Sequence, residues 1–312
     1  MKHAPERSGG TTASDRPGPG RRSPDTHRYQ DIGRLLVTCP DQPGIVAAVT
    51  QFLYANGANI TESHQYSTDP FGGTFFLRLE FYLEHLADRM AQLERDFAPV
   101  ARSFDMTWRL IQASILKRVA IFASREGHTL QEILWRNHAG DLHADIRMVI
   151  SNHPDLRETA AIWGVPYHHI PVTPQTRDRA EAAQLDLVVG EVDLIVLARY
   201  MQILSPGFLA HFPNRVINIH HSFLPAFTGA NPYQRAHDRG VKLIGATAHY
   251  ATAELDAGPI IEQDVERVDH RHTVDDLRRI GRHIERSVLA RAVAWHLEDR
   301  ILVHGNKTIV FA

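Results

Sequence analysis

Asn218, His220 and Asp256 are the residues whose types and spacing could do chemistry. Residues two apart on a strand point to the same side, so Asn218 and His220 would project together. A side-chain amide can donate to a developing oxyanion, and an imidazole can donate to it or move protons. A carboxylate can orient a water, accept its proton, or hold the imidazole in its cationic form. Together they suit acyl chemistry without a metal or a covalent nucleophile. A structural reading accounts for the same residues: Asn218 capping a turn, His220 satisfied within the core, Asp256 simply in a loop. Spacing alone leaves both readings open.

The surrounding sequence supplies elements that would position these groups. Val216-Ile217 starts an apolar run ending in Asn218-Ile219-His220-His221, a buried strand with polar groups at its C-terminal end. Lys242 to Tyr250 reads as another strand. Gly258-Pro259 fits a tight loop that would present Asp256 at an element's end. Strand ends of open α/β sheets are where ligands bind.

Upstream, Arg118–Ala123, Ile146–Ser151, Pro166–Val172 and Leu194–Leu197 read as strands. Leu130–Asn137, Pro154–Trp163 and Pro174–Val188 between them read as helices. Continuous apolar strands alternating with helices predict a mostly parallel, Rossmann-like sheet covered on both faces. No GxGxxG follows a strand, which counts against a nucleotide cofactor. Ser205-Pro206 has the form of a helix start. Val274 to Leu302 reads as one long amphipathic helix begun by Thr273, with Arg278, Arg279 and Arg282 facing solvent.

The first part of the chain has a different pattern. Residues 1–30, rich in Gly, Pro, Ser and Arg, cannot bury enough apolar surface to offset chain entropy and read as a disordered tail. Residues 31–112 then give strand Gly33–Cys39, helix Ile45–Asn56, strands Asn59–Gln65 and Thr74–Tyr82, helix Leu86–Phe97 and strand Thr107–Ile111. That βαββαβ order is ferredoxin-like, with two helices on one face of an antiparallel sheet. Residues 113–312 form the second domain.

Composition narrows the class. A chain of 312 residues with 43% hydrophobic and 22% charged content suits two soluble domains. A net charge of -2 gives no sign of a nucleic-acid or membrane surface. No run reaches the length of a membrane span, and no apolar N-terminal stretch reads as a signal peptide. The single cysteine, Cys39, precludes an intrachain disulfide and suits a reducing cytoplasm. The twenty histidines lack metal-ligand spacing, so no metal site is expected.

The string Asn218-Ile219-His220-x-Ser222-x-Leu224-Pro225, followed by Asp256-x-Gly258, resembles the folate-dependent formyltransferase family, and its formyltetrahydrofolate deformylases in particular. Gly229-Ala230-x-Pro232-Tyr233 and Ala246-Thr247-Ala248-His249-Tyr250 belong to the same pattern. His221 stands where many transformylase relatives have proline. The resemblance implies catalytic roles for Asn218, His220 and Asp256. It implies folate contacts at Met201, Gln202, Ile203 and Leu204, whose backbone would hold the pterin ring, and at Ala246 and Thr247. The loop at 124–129 lacks the glycine- and asparagine-rich phosphate cradle of transformylases that act on glycinamide ribonucleotide, which argues against a phosphorylated acceptor. A tRNA formyltransferase would need a basic C-terminal domain, for which no residues remain.

In the first domain, Asp41-x-Pro43-Gly44 followed by Gly57-Ala58-Asn59-Ile60 resembles ACT regulatory domains. That implies a small amino-acid effector, with Asp41, Gly44 and Asn59 as contacts, and a homodimer or homotetramer. The residues also fit turns and caps of an empty dimerisation module. The implied reaction is hydrolysis of 10-formyltetrahydrofolate to formate and tetrahydrofolate, without a cofactor, balancing the one-carbon pool and supplying formate for purine biosynthesis. Formyl transfer to an unidentified amine, or an inactive folate or amino-acid sensor, are the alternatives.

Overall fold

The computed structural model describes residues 29–225 and 232–312. The tail expected at 1–30 thus lies outside the described residues up to residue 28, as do Gly229 and Ala230. Tyr29 already belongs to the folded body, its hydroxyl 3.0 Å from His143 Nε2.

The N-terminal unit comprises β1 (Ile32–Pro40), α1 (Ile45–Ala55), β2 (Asn59–Ser67), β3 (Thr74–Tyr82), α2 (Leu86–Ser103) and β4 (Thr107–Gln112). Its four strands pair antiparallel in the order β2-β3-β1-β4. Leu35, Val37, Leu77 and Leu79 meet Val49, Leu53, Leu93 and Phe97 of the helices in one apolar cluster. Helix α2 runs past its expected end at Phe97 to Ser103 with Pro99 inside it. Proline forfeits one backbone hydrogen bond, but Ala101 beyond it is buried in the same cluster and keeps the last turn docked.

The second unit begins with β5 (Lys117–Ala123), α3 (His128–Ala139), β6 (Ala144–Ser151), α4 (Arg157–Ile162), β7 (Tyr167–His169), α5 (Arg177–Val188), β8 (Leu194–Ala198) and α6 (Pro206–Ala210). It continues with β9 (Val216–His220), α7 (Pro232–Arg239), β10 (Leu243–Tyr250), β11 (Ile260–Arg267), α8 (Val274–Leu297), β12 (Ile301–His304) and β13 (Lys307–Val310). Seven strands form one sheet in the order β11-β10-β9-β8-β5-β6-β7. The five from β9 to β7 are parallel, while β10 pairs antiparallel with both β9 and β11. Alternate residues of β5 serve opposite faces: Val119, Ile121 and Ala123 enter one apolar cluster, Ala120 and Phe122 the other. That two-sided burial explains why these strands read as unbroken apolar runs.

The C-terminus differs from its expected form. The long helix ends at Leu297 rather than continuing to Leu302, and Asp299 takes a left-handed φ of 55°. Ile301-Leu302-Val303 then pairs with Lys307–Val310 in a hairpin turned at Gly305. β-Branched residues favour extended backbone, and the hairpin has a partner in the N-terminal sheet. His304 packs edge-on to Phe76, and the His64 and Phe311 rings stack. The sheet face opposite α1 and α2 therefore carries two buried arginines, Arg34 and Arg78, aimed at the C-terminal segment.

Candidate active site

Strand register brings the chemistry-bearing residues together. Asn218 on β9 is directly opposite His249 on β10, as His220 is opposite Thr247. Asp256 sits in the loop between β10 and β11 at a φ of 55°, and Asn306 donates to Ala257 O at 2.9 Å, fastening that loop. Asp256 Oδ1 lies 3.2 Å from His220 Nδ1 and 3.6 Å from His249 Nε2. The hydrogen bond from His220 holds its carboxyl well below the usual carboxylate range. His220 is 7% exposed, and its Nε2, buried at the cavity wall, has no hydrogen-bond partner among the described residues.

His249 was quoted in the sequence pattern but given no role there. Its Nδ1 is 3.0 Å from Tyr250 O, so that nitrogen carries a proton to donate. Nε2 then faces Asn218 Nδ2 at 3.1 Å and, in the neutral ring, accepts from the amide. His249 thus sits between the other two groups and sets the plane of the Asn218 amide. The cross-strand pairing that makes it a site residue needs the register, although its place in a strand of alternating small and large residues was legible.

A cavity of about 550 Å³ opens over these groups. One wall is the segment after β8, where Met201, Gln202, Ile203 and Leu204 line it as expected. Met201 and Ile203 are 59% and 58% exposed, and Leu255 across the cavity is 63% exposed, an apolar surface left open in a concave site. Ser124 Oγ accepts from Met201 N at 2.9 Å, and Arg177 donates to Ile203 O at 2.7 Å, fixing the segment's backbone. Ser205 caps α6 by accepting from Phe208 N, with Pro206 in the first turn.

Ala246 and Thr247 do not reach the cavity. Both are 0% exposed, and Thr247 Oγ1 donates to Ser222 O at 2.9 Å while accepting from Leu224 N at 3.0 Å. The pleat turns them into the sheet's packing, so Thr247 braces the chain after His220 instead.

Beyond His220 the cavity ends in a charged cluster that sequence reasoning missed. Arg199 is 8% exposed at a φ of 61°. Arg199 Nη2 donates to Glu126 Oε1 at 3.2 Å, Nη1 donates to His221 Nδ1, and Nε lies 3.5 Å from Glu285 Oε2. Glu285, from α8, also receives Tyr233 Oη at 2.8 Å and lies 2.8 Å from His128 Nε2. Burial opposes its ionisation, but His128 and Arg199 hold its carboxyl below the ordinary range. Burial, then the Arg199 charge, pushes His221 down to about 4. Arg278 and Arg282 line the cavity instead of only facing solvent.

In the N-terminal unit, the structure separates the three residues expected to hold an effector. Asp41 and Gly44 follow β1, where Ser67 Oγ hydrogen-bonds Asp41 and Gly44 sits at a φ of 97° ahead of α1. Asn59 begins β2 opposite Tyr82, which pairs with Ile32 at the far end of β1. The length of β1, roughly 27 Å at about 3.4 Å per residue, lies between them within one chain. Among the described residues no group of three or more His, Cys, Asp or Glu could hold a metal ion, and no helix is long and apolar enough to cross a membrane.

Fold and site define an α/β domain of the formyl-transfer class behind an ACT-type sheet. The formyl transferase family matches residues 117–293 and the ACT domain family residues 33–94. The formyltetrahydrofolate deformylase of Bacillus subtilis (strain 168) is 60% identical over 283 residues, covering 90% of this chain and 94% of that one. The crystal structure of a formyltetrahydrofolate deformylase from Pseudomonas syringae pv. tomato is 48% identical with a TM-score of 0.85, covering 90% and 94%. A glycinamide ribonucleotide transformylase from Symbiobacterium toebii is 33% identical with a TM-score of 0.60, covering 63% of this chain and 95% of that one. The chain belongs to the formyltetrahydrofolate deformylase family.

Proposed function

We propose that the protein hydrolyses 10-formyltetrahydrofolate to formate and tetrahydrofolate, with Asn218, His220 and Asp256 as its catalytic residues. Family membership at 60% identity supports the reaction. The observation that carries the residue roles is His220 Nε2, buried at the cavity wall without a partner among the described residues, while Asp256 holds Nδ1. In this reading Asn218 Nδ2–H and His220 donate to the formyl oxygen as it gains charge. Asp256 orients the attacking water and draws its proton. The water oxygen bonds to the formyl carbon, the C–N10 bond breaks, and N10 receives a proton through His220. Met201, Gln202, Ile203 and Leu204 would hold the pterin ring, largely through backbone groups and apolar contact. Residues and water balance this reaction without a cofactor.

The test is formate release from 10-formyltetrahydrofolate by the purified protein, with no acceptor added. Asn218→Ala, His220→Ala and Asp256→Asn are each expected to lower kcat about 100- to 1000-fold, with circular dichroism unchanged. Near-normal turnover in all three would refute the assignment.

For the N-terminal unit, the proposal is regulation by a small amino acid bound between copies of the chain. Asp41 and Gly44 of one protomer and Asn59 of another are its contacts, since one chain holds them apart. The β2 edge of the sheet would pair with a second copy, giving a homodimer or homotetramer. Calorimetric titration with glycine and with methionine tests the site, and light scattering the assembly. The lone Cys39 fits a cytoplasmic setting, and the two separate sheets support a division near residue 112.

A further inference from the structure

His221 has no part in the proposed steps, yet the protein holds it in one place and one form. Its ring lies on that of His220, with centroids 5.3 Å apart and planes 19° apart, within the range of stacked aromatic pairs. Arg199 Nη1 donates to its Nδ1. A guanidinium has donors only, so Nδ1 presents a lone pair and the neutral ring carries its proton on Nε2. Arg199 is itself secured. Its Nη2 donates to Glu126 Oε1 at 3.2 Å, and its Nε lies 3.5 Å from Glu285 Oε2 in an ion pair. Glu285, with 1% of its side chain exposed, is held in turn by His128 and Tyr233.

We propose that His221 is a positioning residue for His220: Arg199 keeps it a neutral ring whose face fixes the plane of the His220 imidazole, so that His220 alone takes up charge during the reaction. This rests on the hydrolytic reading above, in which a proton passes to N10 through His220.

Geometry and charge both support this. Asp256 holds the His220 ring at a single atom, Nδ1, at 3.2 Å. One hydrogen bond leaves a ring free to tilt about it; a neighbour lying on its face removes that freedom and keeps Nε2 at the cavity wall. Were His221 cationic, its charge would lie against both Arg199 and His220 and oppose any added proton on His220. The groups facing His221 are Arg199 after β8, Glu126 before α3, Glu285 on α8, Tyr233 on α7 with its ring 6.2 Å away, and His220 beside it. Arg278 and Arg282 of α8 line the same cavity but are exposed, where water and salt screen them. Burial and then Arg199 act most strongly and hold the ring neutral, while the two carboxylates pull the other way more weakly.

The experiment measures formate release from 10-formyltetrahydrofolate across pH, together with histidine ring nitrogen shifts by NMR, on the full chain. In the parent, the His221 ring should show the Nε2–H tautomer at neutral pH and titrate only near 4. His221→Ala is expected to lower kcat about 10- to 100-fold with KM nearly unchanged. His221→Phe restores a neutral face over His220 and should recover most of that loss. In Arg199→Gln the new amide can accept as well as donate, so His221 is free to protonate. The acid limb of kcat should then move up by about one pH unit, with the His221 nitrogen shifts moving in step. Adding His221→Phe to Arg199→Gln should bring the limb back. If Arg199→Gln fails to fold, His221→Ala, His221→Phe and the nitrogen shifts of the parent decide. A loss of kcat that is equal at every pH and is not recovered in His221→Phe marks a merely structural role and overturns this inference alone. Parent-like kcat in His221→Ala, or an Nδ1–H tautomer in the parent, does the same. A parent that releases no formate overturns the hydrolytic reading and this inference with it.

Discussion

The position of one imidazole governs two neighbours at the site. His249 accepts from Asn218 and lies beside Asp256, while Tyr250 O fixes its other nitrogen. Removing it leaves the Asn218 amide free to rotate and Asp256 with one imidazole instead of two. His249→Ala is expected to lower kcat about 100-fold with KM nearly unchanged, because the ring does not line the apolar wall. A larger rise in KM than fall in kcat would show that it acts on binding instead. His221 has a pH signature of its own. Its folded value of about 4 lies below the ordinary 6.5, so between those values the unfolded chain binds more protons. That contribution to stability is complete above 6.5 and is lost as pH falls through 4. Urea midpoints should drop across this window, and more shallowly in His221→Gln.

At the scale of elements, a loop brings Asp256 to the cavity and a helix brings Glu285. The Asp256 loop depends on Gly258, where a Cβ would come within 1.8 Å of Tyr250 O and 3.0 Å of Thr252 Cγ2. The first of those neighbours is backbone and cannot swing away. Gly258→Ala should therefore cost about 1–3 kcal/mol of stability, read by thermal melting. It should also cost about 100-fold in kcat, because the loop moves as a unit. Helix α8 brings Glu285 to the cavity from a start fixed by a capping box at Thr273 and Asp276. Gly281, one turn before Glu285, leaves the space that the Tyr233 hydroxyl occupies.

Across the whole molecule, the two sheets are joined by ions rather than by apolar surface alone. Arg78, 0% exposed, donates to Asp299 O at 3.2 Å, Glu298 O at 3.1 Å and Glu80 Oε2 at 3.2 Å, and also to Glu62. Arg300 returns the contact to Glu62 from the C-terminal segment at 3.2 Å, and Lys117 Nζ lies 2.8 Å from Asp299 Oδ1. Arg78→Ala strands these acceptors at the junction and is expected to cost about 3–5 kcal/mol. Calorimetry should then resolve two unfolding transitions where the parent shows one. A single unshifted transition would show that the units dock without it.

The sequence by itself determined most of the strands and the change of pattern near residue 112, because apolar periodicity and turn chemistry are local; for Asn218, His220 and Asp256 spacing left a structural reading open, and only the family resemblance pointed to their roles. The same resemblance pointed to Met201, Gln202, Ile203 and Leu204, which line the cavity. Tertiary structure decided what depends on register and on distant packing. It turned Thr247 into the sheet, put His249 against Asn218, and set Asp41 and Asn59 at opposite ends of β1. It also ended the long helix at Leu297, because the N-terminal sheet offers a surface for the hairpin that follows. Arg199 shows the limit most directly: its partners Glu126, His221 and Glu285 come from three separate parts of the chain. No spacing rule reaches across such separations, so only the packing of α8 over the sheet could bring those charges together.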